Sequence, residues 1–168
     1  MVVLFDDEGK PCVPIFQRTS DMSRHASQMA LPGGKLHAGE GVAACAIREL
    51  HEELGLEVGD GSVVGELDDF DTRSGFTITP VVIWSGADSA VLRPSKFEVA
   101  RLFVVPLTDL RAAVAKAGPG PSPAFSLRLP EVEVFAPTAA ILYQFSRVAL
   151  DGAEERVADF FQPGWTHR

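Results

Sequence analysis

Cysteine is nearly missing from this chain: Cys12 and Cys45 are the only two in 168 residues, far apart and without a framework spacing. That excludes a disulfide scaffold, fits a reducing compartment and predicts two free thiols. Basic residues are also scarce, 15 Lys and Arg against 23 Asp and Glu, which gives a formal net charge of -8. Such a chain lacks the basic face that displaces counterions from a nucleic-acid backbone, so no nucleic-acid partner is expected. A small anionic ligand is compatible with this charge, because a bound cation reverses the local sign of a site. No apolar run is long enough to span a bilayer. "MVVLFDDEGK" reaches Asp6 and Asp7 after five residues, too soon for the apolar stretch of a signal peptide, and "WTHR" is neither a retention nor a peroxisomal address. The expectation is a cytoplasmic protein with no membrane partner. Repeats and low-complexity segments are absent too.

The hydrophobic fraction of 46% suits one globular domain over residues 1–168. "VVLF" and "CVPIFQ", either side of the turn-rich "DDEGKP", predict two antiparallel strands. Residues 18–41 are polar and glycine-bearing, longer than a structural connector needs, and such loops carry function. A helix is expected from Val42 to Leu54, stopped by a left-handed Gly55, with Leu56 folding back on its last turn. β-branched and aromatic residues predict strands at "SVVGEL", "FTITPVVIW" and "ARLFVVP". Thr108 is the expected cap of a helix over "DLRAAVAKA", and a strand pair is expected between Phe125 and Phe135. A last helix begins near Thr138, with Ile141, Leu142, Phe145, Val148 and Ala149 as its buried stripe. Beyond it, Phe160, Phe161 and Trp165 are expected to dock on the chain's own core. Strands mixed with three helices imply an α/β fold, an α/β/α sandwich.

"LPGGKLHAGEGVAACAIRELHEELGL" crowds Glu40, Glu49, Glu52 and Glu53 into a short span. At 100° per residue the last three share an arc of about 100° on the helix, while Ala43, Ile47, Leu50 and Leu54 form a separate apolar stripe. An ordinary solvated face interleaves charge signs; this one sets a single Arg48 against three glutamates. Hard oxygen donors gathered without basic partners suit Mg²⁺ or Mn²⁺, which would remove their mutual repulsion. Arg48, one turn before Glu52, is placed to pair with it. Cys45 lies near the acidic arc and is read as packing.

Gly34, Glu40, Arg48, Glu49, Leu50, Glu52, Glu53, Gly55 and Leu56 together resemble the Nudix box, with every defining position matched. The resemblance implies a Nudix-type α/β/α sandwich with a mixed β-sheet between helices. It also implies a hydrolase that splits a diphosphate joining a nucleoside to another moiety. Glu49, Glu52 and Glu53, with the Gly34 carbonyl, would then bind metal; Arg48 would orient a glutamate and Glu40 would support the loop and helix start. Glu52 is the first choice as general base and Glu98 the second.

The preceding "QRTSDMSRHASQMALPGG" resembles the signature of coenzyme A diphosphatases through Arg18, His25, Ala26, Gln28 and Pro-Gly-Gly. Ser23, Ser27 and Leu31 stand where that signature has arginine, glycine and phenylalanine. Arg18, Arg24 and Arg73 are the candidate anion contacts. The implied substrate is a small nucleoside diphosphate derivative, coenzyme A or an acyl derivative, acted on by a monomer or homodimer. ADP-ribose, NADH or a damaged nucleoside triphosphate is the alternative, and a noncatalytic nucleotide-binding module is a third reading.

Overall fold

Alternation along the first strand sets the architecture. In a computed structural model, which describes residues 1–20, 28–117, 125–157 and 160, β1 (Val2–Asp7) turns Val3 and Phe5 to one face of a sheet and Val2 and Leu4 to the other. β2 (Lys10–Arg18) runs back antiparallel, with Phe5 opposite Cys12, as the sequence predicts. One edge of β2 is bonded by β8 (Val99–Pro106) from Cys12 to Arg18, and its other edge serves β1 first and then β3 (Met29–Ala30). β7 (Val81–Asp88) lies parallel to β1 and antiparallel to β4 (Val63–Glu66). The sheet is therefore mixed, in the order β3-β2-β1-β7-β4 with β8 on β2.

One face is covered by α1 (Val42–Leu54), whose Ala46, Leu50 and Leu54 pack on Val3, Phe5, Phe16 and Ile83. The opposite face carries α2 (Leu107–Ala117) and α3 (Thr138–Phe145), with Leu110, Leu142 and Phe145 over Val13, Ile15 and Phe103. Helices on both faces of a mixed sheet make the expected α/β/α sandwich. Cys12 and Cys45 are buried free thiols. Among the described residues no helix is long and apolar enough to cross a membrane.

The boundaries of α1 match the sequence expectation, and Gly55 ends it at φ 65° with its N–H donating to the His51 carbonyl. A β-carbon at Gly55 would also come within 2.8 Å of Arg93 Cβ, so the stop needs glycine twice over. Leu56 returns to the core beneath it.

Elsewhere the sequence expectation needs correction. "FTITPVVIW" is two strands in two sheets: β6 (Thr77–Ile78) pairs with β5 (Phe70–Asp71) as a small hairpin, and β7 begins only after Pro80, whose missing N–H interrupts the ladder. Thr108 is no cap, because α2 already starts at Leu107 directly after β8. The pair between Phe125 and Phe135 is present as β9 (Ser126–Arg128) and β10 (Glu133–Phe135). In the last helix Ile141, Leu142 and Phe145 are buried, but the chain passes into a π-helical turn at Ser146–Leu150, which swings Val148 and Ala149 to the surface. Phe160 docks edge-on against Phe125, as expected for the tail; Phe161 and Trp165 lie outside the described residues.

Candidate active site

Arg48 is the centre of the site. Its guanidinium grips Glu40 with two bonds, Nε to Oε1 at 2.9 Å and Nη2 to Oε2 at 3.0 Å. This is the fork geometry that suits a planar carboxylate. Nη1 is shared between Glu49 at 2.6 Å and Glu52 at 3.1 Å, and Nη2 also donates to the Lys35 carbonyl at 3.1 Å. One cation therefore arranges three carboxylates and ties the loop before α1 to the helix. Glu40 in turn accepts the His37 N–H at 2.8 Å. The hydrogen bonds from Arg48 and His37 hold the Glu40 carboxyl down at about pKa 2, and the same contacts, to Glu40 and then Glu49, raise Arg48.

The neighbouring carboxylates differ sharply. Glu52 is 51% exposed, whereas Glu53 is 1% exposed and accepts the Gly33 N–H at 2.8 Å. The wheel puts Glu53 only about 20° from Ala46, and the Pro-Gly-Gly loop closes over that edge. The acidic arc and the apolar stripe therefore overlap at Glu53 instead of standing apart. Burial is the main cause that lifts the Glu53 carboxyl to about pKa 8; the Gly33 bond opposes it, and the charges of Glu49 and Glu98 push the same way as burial. Arg18 Nη1 lies 3.9 Å from Glu53, and Arg18 Nε is buried without a partner among the described residues.

Glycine at position 34 leaves room for the Glu49 side chain. A β-carbon there would overlap the carboxylate of Glu49. The backbone nitrogen of Met1 pins the same loop through the Pro32 carbonyl at 2.6 Å.

Glu98 reaches the site from the start of β8. Thr19 N–H donates to the Glu98 carbonyl at 3.1 Å, and Ser95 N–H donates to the Glu53 carbonyl at 2.8 Å. The fold thus brings Arg18, Gly34, Glu40, Arg48, Glu49, Glu52, Glu53 and Glu98 into one neighbourhood. Arg73 is exposed in the turn of the β5–β6 hairpin. That hairpin meets the loop through Lys35, whose Nζ lies 4.9 Å from the centre of the Phe76 ring. Arg24, His25 and Ala26 lie outside the described residues. Sequence reasoning missed the Gly33 N–H as the partner of Glu53; the adjacent glycines of "LPGGK" were the available signal, since a backbone donor must approach closely there.

The donor set is one of hard oxygens, and the buried Glu53 is short of compensating charge, which suits a divalent cation. Among the described residues, however, no three His, Cys, Asp or Glu side chains converge as a cage for an ion. Arg48 draws Glu49 and Glu52 towards itself while Glu53 turns to Gly33. Mg²⁺ does not need such a cage, because it retains waters and completes its shell with one or two carboxylates and substrate phosphates.

Comparison with known proteins agrees with this geometry. The family model for the NUDIX domain matches residues 1–126. The Nudix hydrolase NudL of Pectobacterium atrosepticum is 35% identical over 100 residues, 59% of this chain and 52% of the relative. NudL of Yersinia enterocolitica is 33% identical over 101 residues, 60% of this chain and 51% of the relative. The chain thus spans about half the length of the curated relatives it matches. Among solved structures, a MutT/nudix family protein from Enterococcus faecalis superposes with a TM-score of 0.58 at 17% identity, covering 89% of this chain and 60% of that one. The Nudix hydrolase RenU of M. smegmatis gives 0.55 at 19% identity, covering 92% and 85%; both likenesses concern the fold. With the box complete and the family model matched over three quarters of the chain, the chain belongs to the Nudix family.

Proposed function

We propose that residues 1–168 act as one Nudix domain, a divalent-metal-dependent hydrolase that cleaves the diphosphate of coenzyme A or an acyl-coenzyme A. The observation that carries this reading is the Arg48-centred carboxylate network beside Gly34. Glu49, Glu52 and Glu53, with the Gly34 carbonyl, would hold Mg²⁺ or Mn²⁺. When bound, such an ion screens the phosphate oxygens and acidifies water.

The chain's own groups supply the rest. Arg48 sets the orientations of Glu49 and Glu52. Glu52, open to solvent, takes the proton of the attacking water, with Glu98 as the alternative acceptor. Water adds to one phosphorus, the bridging P–O bond breaks, and the products are an adenosine bisphosphate and a phosphopantetheine. Arg18, whose Nη1 pairs with Glu53 only at 3.9 Å and whose side chain is part-exposed, would offer guanidinium donors to an anionic substrate oxygen. Arg24 and Arg73 are proposed as further anion contacts.

Support for coenzyme A comes from Arg18, His25, Ala26, Gln28 and the Pro-Gly-Gly that precede the helix. Ser23 and Ser27, which depart from that signature, favour a second reading in which ADP-ribose, NADH or a damaged nucleoside triphosphate is the substrate. Incubation with coenzyme A and Mg²⁺ or Mn²⁺, followed by chromatography, tests the first reading. The expected result is the two products above; no cleavage beside good turnover of another dinucleotide would transfer the assignment to the second.

A further inference from the structure

Lys35 adjoins an acidic cluster, yet its ammonium turns elsewhere. Arg48 binds the Lys35 carbonyl at 3.1 Å and gathers Glu40, Glu49 and Glu52, but among the described residues Lys35 Nζ pairs with no carboxylate. It lies instead over the ring of Phe76, 4.9 Å from its centre. A compact charge on a flexible stem has carboxylates to choose from here, and it takes the β5–β6 hairpin.

The hairpin holds that ring in a fixed place. At its root Phe70 is buried in the core and Ile78 packs on the same cluster. At its tip the Thr72 N–H donates to the Phe76 carbonyl at 2.7 Å, while the Thr72 hydroxyl donates to that carbonyl at 2.8 Å and accepts the Phe76 N–H at 3.0 Å. Both backbone groups of Phe76 are therefore tied to one residue.

The loop carrying Lys35 is fixed from the other side. Gly34 lies so close to Glu49 that a β-carbon would overlap its carboxylate, and a turn between His37 and Glu40 closes the residues that follow. Arg48 Nη2 spans this segment by donating to both the Lys35 carbonyl and Glu40. Lys35 thus gives its carbonyl to the arginine that orients Glu49 and Glu52, and its ammonium to the hairpin.

We infer that Lys35 and Phe76 are positioning residues, through which the β5–β6 hairpin steadies the Arg48 guanidinium and, with it, Glu49 and Glu52. This deepens the hydrolase reading above, on which its kinetic consequence rests: an element outside the box sets the arrangement of the box's charges. Phe76 is 42% exposed, and a cation on an aromatic face in such a setting is worth about two- to fivefold in an equilibrium.

Side-chain NMR of the metal-free protein tests the contact and its reach without turnover. In the parent the Phe76 ring current should shift the Lys35 Cε protons upfield. Lys35→Met keeps the stem without the charge, and Phe76→Leu keeps the bulk without the ring. Each should speed exchange of the Arg48 Nε–H with water about two- to fivefold, and the double variant should match the single ones. Lys35→Arg and Phe76→Trp should restore the parent value. With Mn²⁺ and coenzyme A or ADP-ribose, Lys35→Met and Phe76→Leu should lower kcat by a similar factor, with KM and the melting temperature close to those of the parent. Unshifted Lys35 protons, parent-like Arg48 exchange in both single variants, or additive effects in the double variant would overturn the inference. If the parent splits diphosphates and Arg48 exchange does not respond, this inference alone is lost. If exchange responds but the parent splits no diphosphate, the hydrolase reading falls and the positioning of Arg48 stands.

Discussion

The two faces of the sheet are built from different material. On one face α3 is buried from Thr138 to Phe145 and joins a large apolar cluster, its polar side chains Thr138 and Gln144 donating to backbone carbonyls and none of its residues charged. On the other, α1 is apolar along Ala46, Leu50 and Leu54 but carries Arg48 and three glutamates on the rest of its circumference. The first face holds the sheet; the second uses part of its packing to hold charges that would be more comfortable in water. Glu52 and Glu53 repeat this contrast within two residues, one half in solvent and one enclosed beside Gly33. A site made this way is kept in place by the stable face, and substitutions on the two sides should separate stability from activity.

Truncation of Phe145 should break the comparison most severely. Phe145→Ala opens a cavity in the α3 face and should cost about 3–5 kcal/mol of stability by denaturant melts. On the charged face, Glu52→Gln should lower kcat by on the order of 10²-fold with no comparable change in the melt. Gly34→Ala is gentler. Its methyl must displace the Glu49 carboxylate, so activity should drop about tenfold through weaker Mn²⁺ affinity, an effect on the scale of a lost ligand contact. The circular-dichroism spectrum should stay that of the parent.

The smallest effect is a pH slope. The folded protein keeps the Glu53 proton to about pH 8, while the ordinary value is 4.5, so between these limits the folded state binds the more protons. The corresponding stability is fully present below pH 4.5 and is lost as pH rises through about 8. Melting temperatures of the metal-free protein should therefore fall from pH 5 to pH 8.5, and Glu53→Gln should flatten that slope. Added Mn²⁺ should restore stability at the alkaline end, because metal binding takes the deprotonated carboxylate.

What the residues disclose before folding depends on how local the signal is. The ends of α1 were legible because its period and Gly55 act within a few residues. Pro80 broke a strand that β-propensity alone would join, and the π-helical turn at Ser146 redirected Val148 and Ala149 away from a stripe that a regular helix would bury. At the candidate site, residue types and helical spacing pointed to the three glutamates of α1 and to Arg48, whereas Gly34 entered only through the resemblance to the Nudix box. The enclosure of Glu53 was hidden from a helical wheel, since it comes from a loop that closes over the edge of the helix. Arg48 as a hub for three glutamates was only partly visible: its pairing with Glu52 followed from the i, i+4 spacing, but the grip on Glu40 needs the loop and helix together.

The central claim is that the charged face of α1 binds a divalent ion where a nucleoside diphosphate meets the protein. Mn²⁺ titration followed by electron paramagnetic resonance, with ADP present, in the parent and in Glu49→Gln and Glu53→Gln tests it most directly. The account predicts saturable Mn²⁺ binding in the parent, weakened at least tenfold in each variant. Equal Mn²⁺ affinity in all three proteins would contradict it.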